Sequence, residues 1–352
     1  MDSRVLAAIV KCLRCGCPFA AYAFPGCKHV DFYADPYRTD PAGDVVSISF
    51  FGKNSRIVTV GAQMSAQEVL MADWCENCFG EPQITPWSDS TSREEYADGV
   101  ARVIDILRGR GGKTVISRAI TGRYDGGWER VVECVFDRMD PDAFRFVYYT
   151  PETAAWAGAS PELLLDISPS GNVSTMALAG TMSGDGRLDE WNLKNREEHA
   201  MVVEYISSVF REVGLQPMVH RAETVKHGDV RHLRHMITAE GAEGKFDQLV
   251  GMLSPTPALA GWPVGTSIDE IGRIENHPRY CYGGYIAVPD AGGRRRAYVN
   301  LRSFHFYRDR YCIYAGGGIT GLSDVGEEWQ EAEAKSAPLQ RILMTGSEAV
   351  SV

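Results

Sequence analysis

The sequence has 352 residues, 44% hydrophobic and 23% charged, a balance that reads as soluble and globular with enough length for a large core. Its formal net charge of −10 argues against a general nucleic-acid surface, and an anionic ligand would need cations placed locally. No stretch approaches the ~18 apolar residues of a membrane helix. The apolar run at 5–10 is stopped by Lys11 and Arg14 and is too short for a signal peptide, so the expected location is cytoplasmic.

Cys12, Cys15, Cys17 and Cys27 crowd the N-terminus with His29, and Cys75 and Cys78 form a second C-x-x-C. Two such pairs suit zinc, but they lie far apart and the total of nine is odd, which favours reduced thiols. "DVVSISFFG" (44–52) and "SRIVTVGA" (55–62) read as strands, and "TPWSDSTS" (85–92) as a loop. Ser92 with Glu95 makes a capping box for a helix carrying Tyr96, Val100, Val103 and Leu107 on one face. That helix stops at Gly111–Gly112. "GGKTVISR" then opens a strand on which Lys113 shares a face with Val115, an odd place for an amine unless it is paired or functional.

Further strands are expected at 129–136, 144–150 and 172–181, with a strand–turn–strand at 156–168. Helices are expected at about 195–211 and 267–275, strands at 282–288, 297–307 and 311–316, and a last helix from about Val325. Pro338 should bend or end that helix. Arg294–Arg296, after two glycines, looks like an exposed hairpin turn. No internal repeat is present, and the mix is α+β.

Several residues break the pattern. On the helix of "NREEHAMVVEYISSVF", Glu198 extends the apolar stripe of Val202, Ile206, Val209 and Phe210; it is either an inward carboxylate or a wet first-turn acid. Glu328, Glu331 and Lys335 share one face of the last helix, either buried or as an exposed Glu331–Lys335 pair. Two inward carboxylates from different helices suit a hard cation such as Mg2+. "YAGGGITG" (314–321) is either a tight turn or a backbone cradle for an anion. Arg302 lies in an apolar strand and suits either a structural ion pair or capture of a carboxylate. Glu162, before three leucines, is either a turn acid or a carboxyl group kept protonated by apolar company.

These residues, in this order, resemble the chorismate-utilising enzymes: anthranilate synthase component I, aminodeoxychorismate synthase component I, isochorismate synthases and salicylate synthases. The motifs are "KTVISR", "ASPELLL", "LAGT" (178–181), "REEHAMVV" (196–203), "HL" (232–233), "PTPALAG" (255–261), "RYCYGG" (279–284), "LRS" (301–303), "AGGGI" (315–319) and "EEWQEAEAK" (327–335). Their joint occurrence is specific, although each alone is weak. The resemblance implies one large α+β domain of two antiparallel sheets packed face to face, with helices outside. Residues 1–91 would be its variable strand-rich N-terminal part and 92–352 the chorismate-binding core. It also implies Mg2+ held by Glu198 and Glu331, with Glu328 in or near its shell. Arg302 and Tyr282 match the positions holding the enolpyruvyl carboxylate. The amides of Gly316 and Gly318, with Lys335, match the carboxylate pocket, and Thr181, His232 and Ala258 match site positions.

Chemistry separates the members. Ammonia-using synthases have glutamine where Lys113 stands, and a lysine suits water, a poor nucleophile that needs a base. The aminodeoxychorismate synthases carry a nucleophilic lysine where Ala179 stands. Ala258 matches the isochorismate-synthase form, whereas "LRSF" and Tyr282 look at least equally like salicylate synthases. The expected reaction is Mg2+-dependent isochorismate formation with Lys113 as base and Glu162 as acid. Salicylate synthase is the alternative. No amidotransferase subunit is expected, and the chain is expected to be a monomer or weak homodimer. An inactive chorismate binder or a metal-binding protein using its cysteines stays open, against the intact Lys113–Glu162 pair. His235, the all-glycine run of "AGGGI" and Trp262 depart from the usual pattern.

Overall fold

The computed structural model describes residues 1–38, 44–183, 191–227 and 230–344. Its strands pair antiparallel in two sheets. The first runs, in spatial order, through Gly261–Trp262, Lys113–Arg123, Arg310–Ile319, Ser303–Tyr307, Ala154–Ser160, Phe144–Thr150, Phe19–Ala23 and Asp31–Ala34. The second runs through Met218–Val219, Val230–Ala239, Val173–Ser183, Leu163–Ile167, Arg294–Val299, Tyr285–Asp290, Val45–Ser49 and Ile57–Gly61, with Glu223–His227 also on the Val230–Ala239 strand. Residues before 92 therefore supply two strands to each sheet.

Period-2 alternation assigns the two faces of the Phe144–Thr150 strand. Phe144, Phe146 and Tyr148 enter a core shared with Leu164, Leu165 and Tyr298 of the second sheet. The Phe144 and Tyr298 rings stack there with centroids 4.1 Å apart. Val147 and Tyr149 point the other way, into a second cluster beneath the Ser3–Cys15 and Trp128–Asp137 helices. Each such apolar side chain, fully buried, contributes ~1.5–3 kcal/mol, so a strand buried on both faces anchors the sheet. A third cluster holds the Arg93–Arg110 helix: Tyr96, Val100, Val103 and Leu107 meet Ile116 and Ile319. The Ser92–Glu95 capping box is formed in both directions.

Three expectations are corrected, and the run at 5–10, which carried none, is assigned. Residues 129–136 are helical, not a strand: Val131, Val132, Val135 and Phe136 are buried, while Glu129, Glu133 and Asp137 face solvent at four-residue intervals. The run at 5–10 lies in a helix, Ser3–Cys15, that buries Ala8, Ile9, Cys12 and Cys15. The strand expected at 297–307 is two strands in different sheets, broken where Arg302 takes a left-handed φ of 50°. The last helix, Val325–Met344, continues through Pro338. The proline removes one helical donor, and three residues earlier the Lys335 carbonyl takes a bond from Arg302 Nη1 at 3.1 Å. Boundaries also move: Tyr282 and Gly284 sit in a turn before the Tyr285–Asp290 strand, and the 267–275 helix is Val264–Ile274.

All nine cysteines are free thiols. Among the described residues no helix is long and apolar enough to cross a membrane.

Candidate active site

Among the described strands the chain passes from one sheet to the other six times, and two of the short crossings carry the candidate groups. Between Ala154–Ser160 and Leu163–Ile167 it crosses at Pro161–Glu162; between Arg294–Val299 and Ser303–Tyr307 it crosses at 300–302. The crossings bind each other, Val299 N–H donating to the Glu162 carbonyl at 3.0 Å and Ala159 N–H to the Arg302 carbonyl at 3.2 Å. Glu162 and Arg302 thereby line one cavity between the sheets. Burial pushes the Glu162 carboxyl up to about 8, against the pull of Lys113 and Lys335. It is a protonated acid at neutral pH.

Opposite stands a cluster of carboxylates and lysines. Lys113 is fully buried, and its Nζ donates to Glu198 Oε1 at 2.8 Å. Lys194 reaches Glu198 Oε2 at 3.4 Å and Glu328 Oε1 at 2.9 Å. Lys335 pairs with Glu331 at 2.5 Å and donates to the Gly316 carbonyl at 2.9 Å. Burial would raise Glu198, but Lys113 and Lys194 hold it down at about 2. Burial and repulsion from Glu331 push Glu328 up to about 7. Two glycines make room: a Cβ on Gly318 would lie 2.2 Å from Glu198 Oε1, and one on Gly317 2.7 Å from Glu328 Oε2.

The Arg302 side of the cavity has a fixed proton order. His232 Nδ1 lies 3.0 Å from the Gly180 carbonyl, which only accepts, so Nδ1 carries the hydrogen. Its Nε2 lies 3.1 Å from Arg302 Nη2, which only donates, so Nε2 accepts. Burial, with Arg302 and Lys335 nearby, keeps the ring neutral by lowering its pKa. Thr181 Oγ1 is 3.4 Å from the same Nδ1, and Asn195 holds Thr181 through its backbone N–H at 3.2 Å and carbonyl at 3.3 Å. Tyr282 closes this side with its ring on Tyr314.

Residues 50–344 match the family model described as chorismate binding enzyme. The chain belongs to that family. It is 30% identical over 270 residues to a salicylate biosynthesis isochorismate synthase of Pseudomonas aeruginosa, covering 72% of this chain and 56% of that one. It is 30% identical over 271 residues to an anthranilate synthase component 1 of Haloarcula marismortui, covering 69% of this chain and 48% of that one. The chain therefore spans about half the length of these two relatives. Its fold matches the menaquinone-specific isochorismate synthase of Escherichia coli with a TM-score of 0.73 at 18% identity, over 97% of this chain and 91% of that one.

In this member of the family the residues singled out from sequence converge. Glu162, Thr181, Glu198, His232, Ala258, Tyr282, Arg302, Gly316, Gly318 and Lys335 line the cavity, as does Ala179. Lys113 stands behind Glu198, Glu331 behind Lys335, and Glu328 behind Lys194. Gly316 has a structural task as well, since a Cβ there would lie 2.1 Å from the Ile116 carbonyl of the paired strand. Trp262 packs edge-on against Tyr205, outside the cavity lining. His235 bonds His199 at 2.6 Å, one residue beyond Glu198.

Sequence reading missed Lys194, Gly317 and Asn195. The signal for Lys194 was its place one helical turn before Glu198. Among the described residues no three His, Cys, Asp or Glu side chains stand in ready ligating geometry, the cysteines included. The three glutamates are instead turned on ammonium groups, which lie where positive charge is demanded. Glu328 Oε2 is buried without a partner. An all-oxygen donor set with an orphaned carboxylate oxygen and a lysine standing in for a cation fits a hard divalent ion.

Proposed function

We propose that the chain is an isochorismate synthase, adding water at ring C2 of chorismate and expelling the C4 hydroxyl. The observation that carries this reading is the buried Lys113 amine, bonded to the cavity-lining Glu198 at a position where ammonia-using relatives of the family resemble one another in having glutamine. Arg302 and Tyr282 grip the enolpyruvyl carboxylate, and His232, neutral with Nε2 accepting, keeps the guanidinium aimed. Lys335 and the glycine strand face the ring carboxylate. Mg2+ held by Glu198, Glu328 and Glu331 would supply positive charge to that carboxylate.

Lys113, once its ammonium proton has been given up to solvent, takes a proton from the water that forms the C2–O bond. The ring double bonds shift, and the C4–O bond breaks as the Glu162 carboxyl gives its proton to the departing hydroxyl. One proton is gained by Lys113 and one lost by Glu162, so the site resets by proton exchange with solvent. A base and an acid at this level of assistance each contribute roughly 10²–10⁴-fold. To work as a base, Lys113 must leave its bond to Glu198, which couples water activation to what Glu198 holds.

Incubation with chorismate and Mg2+, with and without EDTA, followed by product separation, tests the reading. Isochorismate formed only with the metal is the expected result. Salicylate with pyruvate would move the assignment to a salicylate synthase, and no turnover under any metal condition would overturn both.

A further inference from the structure

Beyond the wall formed by Pro161, Arg302 and Lys335 lies a second cavity, of about 590 Å3, that shares those three residues with the catalytic one. Its polar lining is nearly all cationic. Arg138 and Lys226 stand on opposite lips: Arg138 follows the Trp128–Asp137 helix on the first sheet, and Lys226 lies on the Glu223–His227 edge strand of the second. Both are exposed, and neither pairs with a carboxylate among the described residues. Arg341 also lines the space. The single acid of the lining, Asp140, is engaged by His227 Nδ1 at 3.1 Å, which ties the two lips together. The remaining walls include Met139, Pro338, Leu339 and Ile342.

We propose that this cavity is an anion-collecting vestibule, in which Arg138 and Lys226 capture a small dicarboxylate and deliver it to Arg302 and Lys335. The proposal rests on the preceding reading only in taking a dianion as the substrate. A chain with a net charge of −10 repels a dianion at long range, so productive encounter requires a local reversal of the field. Cations on apolar walls provide it, because low-dielectric surfaces focus field lines into the cleft. A neighbouring cavity of about 550 Å3 shares Lys226, but its arginines are spent: Arg234 pairs with Glu223, and Arg296 with Asp166 and Asp290. Of these two cavities, the one bordering Arg302 and Lys335 is the one that holds both Arg138 and Lys226.

The test is stopped-flow association of chorismate, followed by protein fluorescence in the presence of Mg2+, for the wild-type chain and the double variant R138Q/K226Q. The variant should associate about five- to tenfold more slowly at low salt, with an unchanged dissociation rate and kcat. The difference should vanish near 1 M salt, where the screening length is about 3 Å. The control R102Q/R211Q removes equal charge elsewhere, on the Arg93–Arg110 helix and near the far end of the Leu193–Glu212 helix, and should associate like wild type. Equal association rates for R138Q/K226Q and wild type, a loss that persists at high salt, or an equal loss in the control would each overturn the vestibule. Isochorismate is measured in the same samples. Steered association without isochorismate overturns the proposed reaction and leaves the vestibule standing; turnover without steering does the reverse; no association at all overturns both.

Discussion

Two carboxyl regions face one cavity and end in opposite states. Glu162 is buried with no ammonium in contact, and its carboxyl sits at about 8. Glu198 is as deeply buried but touches Lys113 and Lys194, and sits at about 2. Burial alone makes a proton donor, whereas burial beside ammonium groups makes a permanent anion. The residue type is the same, so the division of labour belongs to the neighbours.

That contrast can be broken most severely at Lys113. Lys113→Gln should lower isochorismate formation by about 10³–10⁴-fold in kcat, with circular dichroism showing the fold retained; near-full activity would remove the amine from its role as base. Glu162→Gln is expected to cost about 10²–10³-fold in kcat, because the amide keeps the shape but has no proton to give the leaving hydroxyl.

The pH profile sharpens the same point. If Glu162 is the acid, kcat/KM should fall as pH rises through about 8. Stability follows the same sign. The folded chain holds this proton between the ordinary 4.5 and about 8 while the unfolded chain has lost it. The stabilisation is therefore complete below 4.5 and lost as pH rises to about 8. Denaturant titrations of Glu162→Gln should lack that slope.

The smallest effect is expected at Lys194. If its ammonium occupies the cation's place, Lys194→Gln should bind Mg2+ about tenfold more tightly by calorimetry, roughly 1.4 kcal/mol. It should also melt several degrees lower without the metal, because buried carboxylates lose a partner. Weaker Mg2+ binding in this variant would make Lys194 a support of the metal site instead of its competitor.

The core motifs were legible because they join polar residues to apolar periodicity: Lys113, Glu198 and Glu331 each sit on an otherwise buried face. The helix at 128–137 was not, since valines at 131, 132 and 135 carry strand preference and only tertiary packing makes them helical. Nor was the break at 300–302, because a strand that changes sheets keeps its alternation on both sides of the crossing. Lys194 escaped notice because a lysine one turn before a glutamate is ordinary on a wet helix, and its burial depends on Glu328 from a helix more than a hundred residues away.

The paired crossings at Pro161–Glu162 and at 300–302 give the site an unusual ruler. Packed sheets stand about 10 Å apart, and here Glu162 and Arg302 both sit on links that span that separation. The reactive gap is thus a thickness, fixed by rings such as Phe144 and Tyr298 that hold the sheets apart. Thinning that spacer would retune the reaction from a distance, without touching any residue that meets the substrate.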